Sequence, residues 1–375
     1  MTIRQDRVLA NDFVAQWDDL RDDALAAVDR VGRSGWLVLG DEVAELEREI
    51  AAWWGVDHAV GVASGLDAIE IALRCAEVGP GDRVLTTPLT AFATTLAIMR
   101  AGAEPVWSDV DQTGSLDLDL ADRVLGADAS IRALVPVHLY GHPLDPSALR
   151  ELGERHGVVV IEDCAQSAGA TRDDAPTGRA GLAAATSLYP TKNLGAMGDG
   201  GLLLTGDAEL AERARRLRNY GQGERYHHVE AGLNSRLDEL HAAMLRSAQL
   251  PRLNGWLRRR AEVAVRYEQA LSPSTVLRPV RPGGGSSANH LFPVEVIDGE
   301  PDHHAEALKM AGVAVGRHYP LLCPDQSACA GVGSVAGELS VARRLADREL
   351  SLPLHPYLSD AHVARVVDVC LELSA

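Results

Sequence analysis

The sequence predicts an α/β fold, with a mainly parallel sheet in a large first domain and a smaller α+β domain behind it. Three observations carry this. Amphipathic helical segments alternate with short apolar runs from about residue 41 to 250, the pattern of strand–helix–strand units. The run at 158–162 is apolar up to its last residue, as a parallel strand covered on both faces requires. After Pro273 the texture changes: a glycine-rich stretch at 281–287 reads as a flexible loop, and new strands and helices follow it. A chain of 375 residues exceeds what one core holds, so two domains are expected, 1–250 and 251–375.

The elements read in order as follows. Residues 41–54 place apolar side chains at helical spacing, with acids in the first turn. A strand at 59–62 precedes a helix over 67–76, which ends near Gly79-Pro80-Gly81. A strand at 83–86 leads to a helix over 91–101, and strands follow at 106–110 and 131–137. A helix over 148–156 leads into the 158–162 strand; a strand at 202–204 and a helix over 209–218 complete the alternation. Residues 236–266 form one helical region broken near Pro251. The C-terminal part reads as a strand at 290–296, a helix at 303–311, a short strand at 313–316 and a closing helix at 361–373.

Composition excludes several classes of function. At 46% hydrophobic and 24% charged residues, the chain has apolar surface enough to offset its conformational entropy. A formal charge of −17 repels nucleic acid and anionic membrane, though a local pocket can still be positive. The opening residues contain no apolar leader, and no stretch of about 20 apolar residues could span a bilayer. Five cysteines without a C-x-x-C pair argue against a disulfide framework or structural zinc, and fit a reducing cytoplasm. The abundance of Ala, Arg, Gly and Val reads as a GC-rich coding sequence, a setting that suits secondary-metabolite and antibiotic pathways.

The chain has only two lysines, Lys192 and Lys309. A lysine amine forms an imine with an aldehyde cofactor, which makes each one worth weighing. Lys192 lies in Ser187-Leu-Tyr-Pro-Thr-Lys192, a proline-containing loop that would hold it; the bland reading is a solubilising surface lysine. Asp163 follows the buried strand, where α/β sheets bind ligands, and could pair with a protonated pyridine nitrogen; it reads equally as a helix cap. Ser64 and Gly65 open a helix whose free N–H groups would cradle a phosphate, or simply form a turn. Phe92 could stack on a ring or pack in the core. The pair His227-His228 reads as loop, since adjacent side chains diverge. Nucleotide-binding glycine signatures, a metalloprotease helix and a serine-hydrolase elbow are absent from the sequence.

The segments SGWLVLGDEVAELE, GVASGLDAIEIAL, VVVIEDCAQSAGA, SLYPTKNLGAMGDGG, GLNSRLDELHAAML, GRHYP and LSLPLHPYLSD, in this order, resemble the DegT/DnrJ/StrS nucleotide-sugar aminotransferases, enzymes of fold type I that use pyridoxal 5′-phosphate. The resemblance implies Lys192 as the imine-forming lysine, Asp163 as the pyridinium partner and Gln166 beside the ring. It implies Phe92 as the stacking aromatic, with Gly65, Leu66 and Ser187 at the phosphate. Asn234 would reach the phosphate in a partner subunit, which implies a homodimer with shared active sites. Tyr189, Arg225, His318 and Tyr319 match positions near the sugar and its diphosphate. Leu66 departs from the pattern, since many members carry Thr there. The implied reaction moves an amino group from L-glutamate to C3 or C4 of a dTDP- or UDP-linked keto-deoxysugar. The alternatives are a sugar dehydratase, whose family members replace the lysine by histidine, a desulfurase or lyase acting on cysteine, and a regulator that kept the fold but lost the chemistry.

Overall fold

The computed structural model describes residues 7–373. The first six residues, part of the segment expected to hold no leader, lie outside them. At the centre is an eight-stranded sheet in the order 58–62, 201–205, 183–187, 159–163, 131–135, 83–86, 104–108, 334–336. Only Gly201–Thr205 runs antiparallel to its neighbours; the other pairings are parallel. Helices cover both faces, which is why the strands are apolar throughout. On one side, helices Gly65–Cys75 and Ala208–Leu217 bury Ile71, Leu73 and Leu217 against Val60, Val84 and Leu203. On the other, helices Leu118–Ala127 and Pro146–His156 bury Leu125, Leu149 and Leu152 against Leu85, Leu134 and Val160. These helices start where a side chain caps them: Ser64, Asp117, Asp145 and Asp207 each accept backbone N–H groups of the first turn.

The helical region expected over 236–266 is one rod: Glu239–Met244, a π-helical turn Leu245–Gln249, then Leu250–Leu271. The irregularity precedes Pro251, whose missing N–H falls in a first turn where it has no partner to lose. The rod runs through residue 250, where a domain division was expected. Beyond it, strands Leu277–Pro279, Phe292–Val296 and Glu349–Leu352 make a small antiparallel sheet around Tyr267, Phe292, Leu350 and Val363, with Val8 packed in the same core. The strand expected at 313–316 is replaced by two isolated bridges, Val8 to Val313 and Gly316 to Ser351, because each neighbour offers a single rung of backbone. His227-His228 forms half of an exposed hairpin with Gln222–Glu224 rather than a loop.

The chain between the last two strands of the small sheet returns to the large one. Cys323 and Cys329 pack on Trp107, and Ser334–Ala336 pairs in parallel with Glu104–Ser108. Asp109 then accepts the N–H groups of Val341 at 2.9 Å and Ala342 at 2.8 Å, starting helix Ser340–Arg348. No helix among the described residues is long and apolar enough to cross a membrane.

Beside the central strand, Glu162 is buried and fully committed. Its oxygens accept from Gly178 N (2.9 Å), Ala180 N (2.7 Å), Gly181 N (3.1 Å) and His138 Nε2 (2.9 Å). The other ring nitrogen of His138 accepts from Leu144 N at 3.1 Å. Cys164 lies near both residues, but His138 and Glu162 have spent their lone pairs on the fold and offer none to a metal. Burial would raise the Glu162 carboxyl, yet the hydrogen bonds prevail and hold it below its ordinary range. Glu162→Ala orphans several buried donors and is expected to cost about 3 kcal/mol or more in urea denaturation. Because the folded-state value is depressed, this contribution is present above the ordinary carboxylate range and is lost as pH falls below it, which unfolding curves at successive pH values would check.

Candidate active site

The ends of strands at 58–62, 83–86, 159–163 and 183–187 lead into one cavity of about 580 Å³. This is where a parallel sheet presents loop residues and helix N-termini together. Asp163, the last residue of Val159–Asp163, is 4% exposed. Its Oδ2 accepts from the Thr94 hydroxyl at 2.7 Å, and Oδ1 from Ala165 N at 3.0 Å. The carboxylate therefore has a fixed direction, with one donor on each oxygen.

Lys192 faces the same cavity from the loop after Ser187. Its own N–H donates to Tyr189 O at 2.8 Å. The next residue, Asn193, anchors the loop by donating to Ala288 O at 2.8 Å and Ala168 O at 3.3 Å. Burial draws the ε-amine down from its ordinary 10.5 to about 8, while the Asp163 carboxylate acts in the opposite sense. At pH 7 roughly one amine in ten is therefore free, far more than for an ordinary lysine, and the free amine is the form that attacks an aldehyde. Gln166 also lines the wall, with Oε1 accepting from Tyr140 N at 2.6 Å and Nε2 donating to the Tyr319 hydroxyl at 3.2 Å.

The far end is built from Ser64, Gly65, Leu66 and Ser187, all lining the cavity. Here helix Gly65–Cys75 begins, and its N-terminal N–H groups favour an anion. Gly65 is needed for close approach: a Cβ at this position would lie 2.8 Å from Ser187 Cβ. Leu66 offers no hydroxyl, so the anion-binding capacity of this turn rests on backbone and Ser187. Tyr189, His318 and Tyr319 also line the cavity, with Tyr189 half-exposed at its mouth.

Three expected residues are placed elsewhere. Phe92 does not line the cavity; its ring packs with Trp107, Cys323 and Cys329, and its neighbours Ala91 and Ala93 form the wall instead. Phe92 is the first residue of a helix, where successive side chains point about 100° apart, and the apolar cluster beneath takes the ring. Arg225 sits on the exposed 222–228 hairpin, its guanidinium 5.1 Å from the Tyr226 ring centre. Asn234 is exposed, its backbone bridged to Asn219. Sequence reasoning missed Thr94, which orients Asp163, and His290 and Ser351 on the wall. Thr94 carried a usable signal, one turn into a helix that starts at the end of a strand.

The cavity fits pyridoxal phosphate. A fixed carboxylate suits the pyridinium nitrogen, a helix N-terminus with Ser187 suits the phosphate, and an amine of lowered pKa lies within electrostatic reach of that carboxylate.

The profile of the DegT/DnrJ/EryC1/StrS aminotransferase family matches residues 18–370. The chain is similar to the dTDP-3-amino-3,4,6-trideoxy-alpha-D-glucose transaminase of Streptomyces venezuelae, 42% identical over 369 residues, 98% of this chain and 96% of that protein. It is 40% identical to the pleiotropic regulatory protein of Geobacillus stearothermophilus, over 96% of this chain and 97% of that one. Among solved structures, DesV of S. venezuelae matches with a TM-score of 0.94 at 41% identity, covering 98% of both chains.

Two outcomes follow from the cavity alone. The rate at which the apoprotein captures pyridoxal phosphate, followed by absorbance, should rise with pH around a midpoint near 8, and Asp163→Asn should move that midpoint lower, because the carboxylate raises the amine. Gly65→Ala should weaken cofactor binding by about tenfold or more, equal to about 1.4 kcal/mol, in an equilibrium titration.

Proposed function

Since this chain belongs to the DegT/DnrJ/EryC1/StrS aminotransferase family, we propose that it moves an amino group from L-glutamate to C3 of a dTDP-linked keto-deoxysugar. The observation that carries the transamination is the Asp163–Lys192 pair, a fixed carboxylate and an amine drawn down to about 8 in one cavity. The 3-amino dTDP-sugar named for the S. venezuelae relative supports the position and the nucleotide. The chain is a pyridoxal-phosphate aminotransferase, and its sugar specificity is the part inferred.

Bound pyridoxal phosphate supplies an aldehyde that exchanges amines and a ring that withdraws electrons from the carbon bearing the nitrogen. The chain's own residues do the rest. Asp163, held in direction by the Thr94 hydroxyl and the Ala165 N–H, would pair with the ring nitrogen and help to hold a proton there. Lys192 Nζ takes the α-proton of the amino donor and returns a proton in the next step, acting as base and then acid. Gln166 and Tyr319, bonded to each other, hold one wall of the cavity in place. The amino donor and the keto-sugar use the same lysine in turn, so ping-pong kinetics are expected.

The homodimer belongs to this proposal. Asn234 and the hairpin bearing Arg225 stand outside their own cavity and exposed, as groups serving a partner's cavity would. There Asn234 would contact the phosphate, and the planar fork of Arg225 would take the sugar diphosphate.

The relative from G. stearothermophilus is named for regulation, and a chain that had lost its chemistry would have no use for a buried amine drawn down to about 8. The deciding measurement is the visible absorbance of the purified holoenzyme. It should bleach on adding L-glutamate and recover on adding the keto-sugar; a protein that takes up no cofactor, or whose band ignores glutamate, is not this enzyme. Lys192→Ala should lose borohydride-fixable cofactor and turnover together. Asp163→Asn should slow the glutamate half-reaction in stopped flow by about a hundredfold or more.

A further inference from the structure

The small sheet brings a second set of proton-carrying groups to the cavity wall. Residues 349 and 351 lie two apart on Glu349–Leu352 and share a face of that strand. His318 and Ser351 line the cavity, whereas Glu349 lies behind them and is 1% exposed. Glu349 Oε2 accepts from His318 N at 2.6 Å, its Oε1 is hydrogen-bonded to Ser351 Oγ, and Ser351 Oγ lies 2.8 Å from His318 Nδ1. The Tyr140 hydroxyl donates to His318 O at 2.9 Å, so the backbone is held on both sides of the His318 side chain. Nε2 of His318 has no partner among the described residues.

We propose that Glu349, Ser351 and His318 form a relay that carries one proton between a buried carboxyl and the active-site cavity, with Glu349 and Ser351 positioning residues for His318. The use assigned to the proton rests on the aminotransferase reading; the relay itself does not.

Glu349 forms no ion pair among the described residues. The cation that acts on it, Arg317, is held by Asp302 at 3.0 Å and by the carbonyls of Ala346 and Asp347. Glu295, opposite Glu349 on the neighbouring strand, is drawn to Arg278 and Arg344. Tyr140 and Tyr319 are held neutral by burial, with Glu349 adding to the effect. Burial raises the Glu349 carboxyl from its ordinary 4.5 to about 8, against its hydrogen bonds to Ser351 and His318 and the pull of Arg317. His318 shifts the other way, to about 4, through burial and then through Lys192. His290, buried beside them, is likewise held neutral. The proton is therefore kept on the carboxyl, and the imidazole passes it without storing charge.

The chain balances. In the loaded state Glu349 donates to Ser351 Oγ, Ser351 donates to His318 Nδ1, and Nε2–H points its proton at an acceptor. On delivery the Nε2–H bond breaks to the acceptor oxygen, the serine proton moves to Nδ1, and the glutamic acid proton moves to Oγ. One proton leaves Glu349, one reaches the acceptor, and His318 is neutral before and after with its tautomer exchanged. When nitrogen replaces a keto oxygen, the departing oxygen must be protonated to leave as water while the nitrogen gives up a proton, so the relay would lend its proton to the oxygen and be reloaded by the one the nitrogen releases.

The test reads the His318 tautomer by 15N NMR of histidine-labelled holoenzyme, assigned by comparison with His318→Gln. In the natural protein Nε2 should be protonated at low pH, and the proton should move to Nδ1 with a midpoint near 8. In Glu349→Gln the amide donates permanently to Ser351, so the Nε2–H form should persist across the range. Ser351→Ala should uncouple the tautomer from Glu349, and Ser351→Thr, which keeps the hydroxyl, should restore the coupling. A natural protein whose His318 tautomer is constant with pH, or a Glu349→Gln protein that still inverts, overturns the relay. No sugar substrate enters these measurements, so they fail or succeed apart from the proposed specificity.

Discussion

A carboxylate pinned at the end of a buried strand, lining the same cavity as a buried amine, is the constraint from which the rest of the site follows. Thr94 and the Ala165 N–H hold Asp163 so that it can serve only one direction. The same burial that makes the Lys192 amine nucleophilic strengthens its attraction to Asp163. The two effects oppose each other at the lysine, and at a bound pyridinium ring the carboxylate would have to outweigh burial. The sheet order supports this directly: the strands carrying Asp163 and Ser187 are neighbours, so both residues are referenced to one rigid ladder.

Much of the fold was legible because its signals are local. The helix Asp41–Trp54 was expected at its observed limits from periodicity, and the strand Arg83–Thr86 at its own, just after the Gly-Pro-Gly turn at 79–81. The strand Ala183–Ser187 was missed, since a run of alanines reads as helix in isolation and only its neighbours make it a strand. The helix Phe13–Ser34 was missed too, although Asp12 caps it and its buried Leu20, Ala24, Ala27 and Val31 recur at helical spacing. The 313–316 strand failed for the opposite reason, a good local pattern without long partners.

The site was legible where chemistry restricts residue type. Scarce lysine marked Lys192, and the end of a buried strand marked Asp163. The direction of Phe92 was not legible, because residue type alone cannot say which way a helix turns; it packs toward Trp107, while Ala91 and Ala93 line the cavity. Glu349 and Ser351 were invisible because their roles depend on His318, thirty-odd residues earlier, meeting them across the small sheet. Asn234 and Arg225 remain assignments to a second copy of the chain, for which exposure is the support.

The excursion between His318 and Glu349 has a mechanical consequence. The chain leaves the small sheet, is stapled to the large sheet's edge at Ser334–Ala336 and at Asp109, and comes back as Glu349–Leu352. A lobe moored at both ends of such a detour lacks a free hinge. Traffic of large substrates through the cavity must therefore use its open mouth, near Tyr189, and not a swinging jaw.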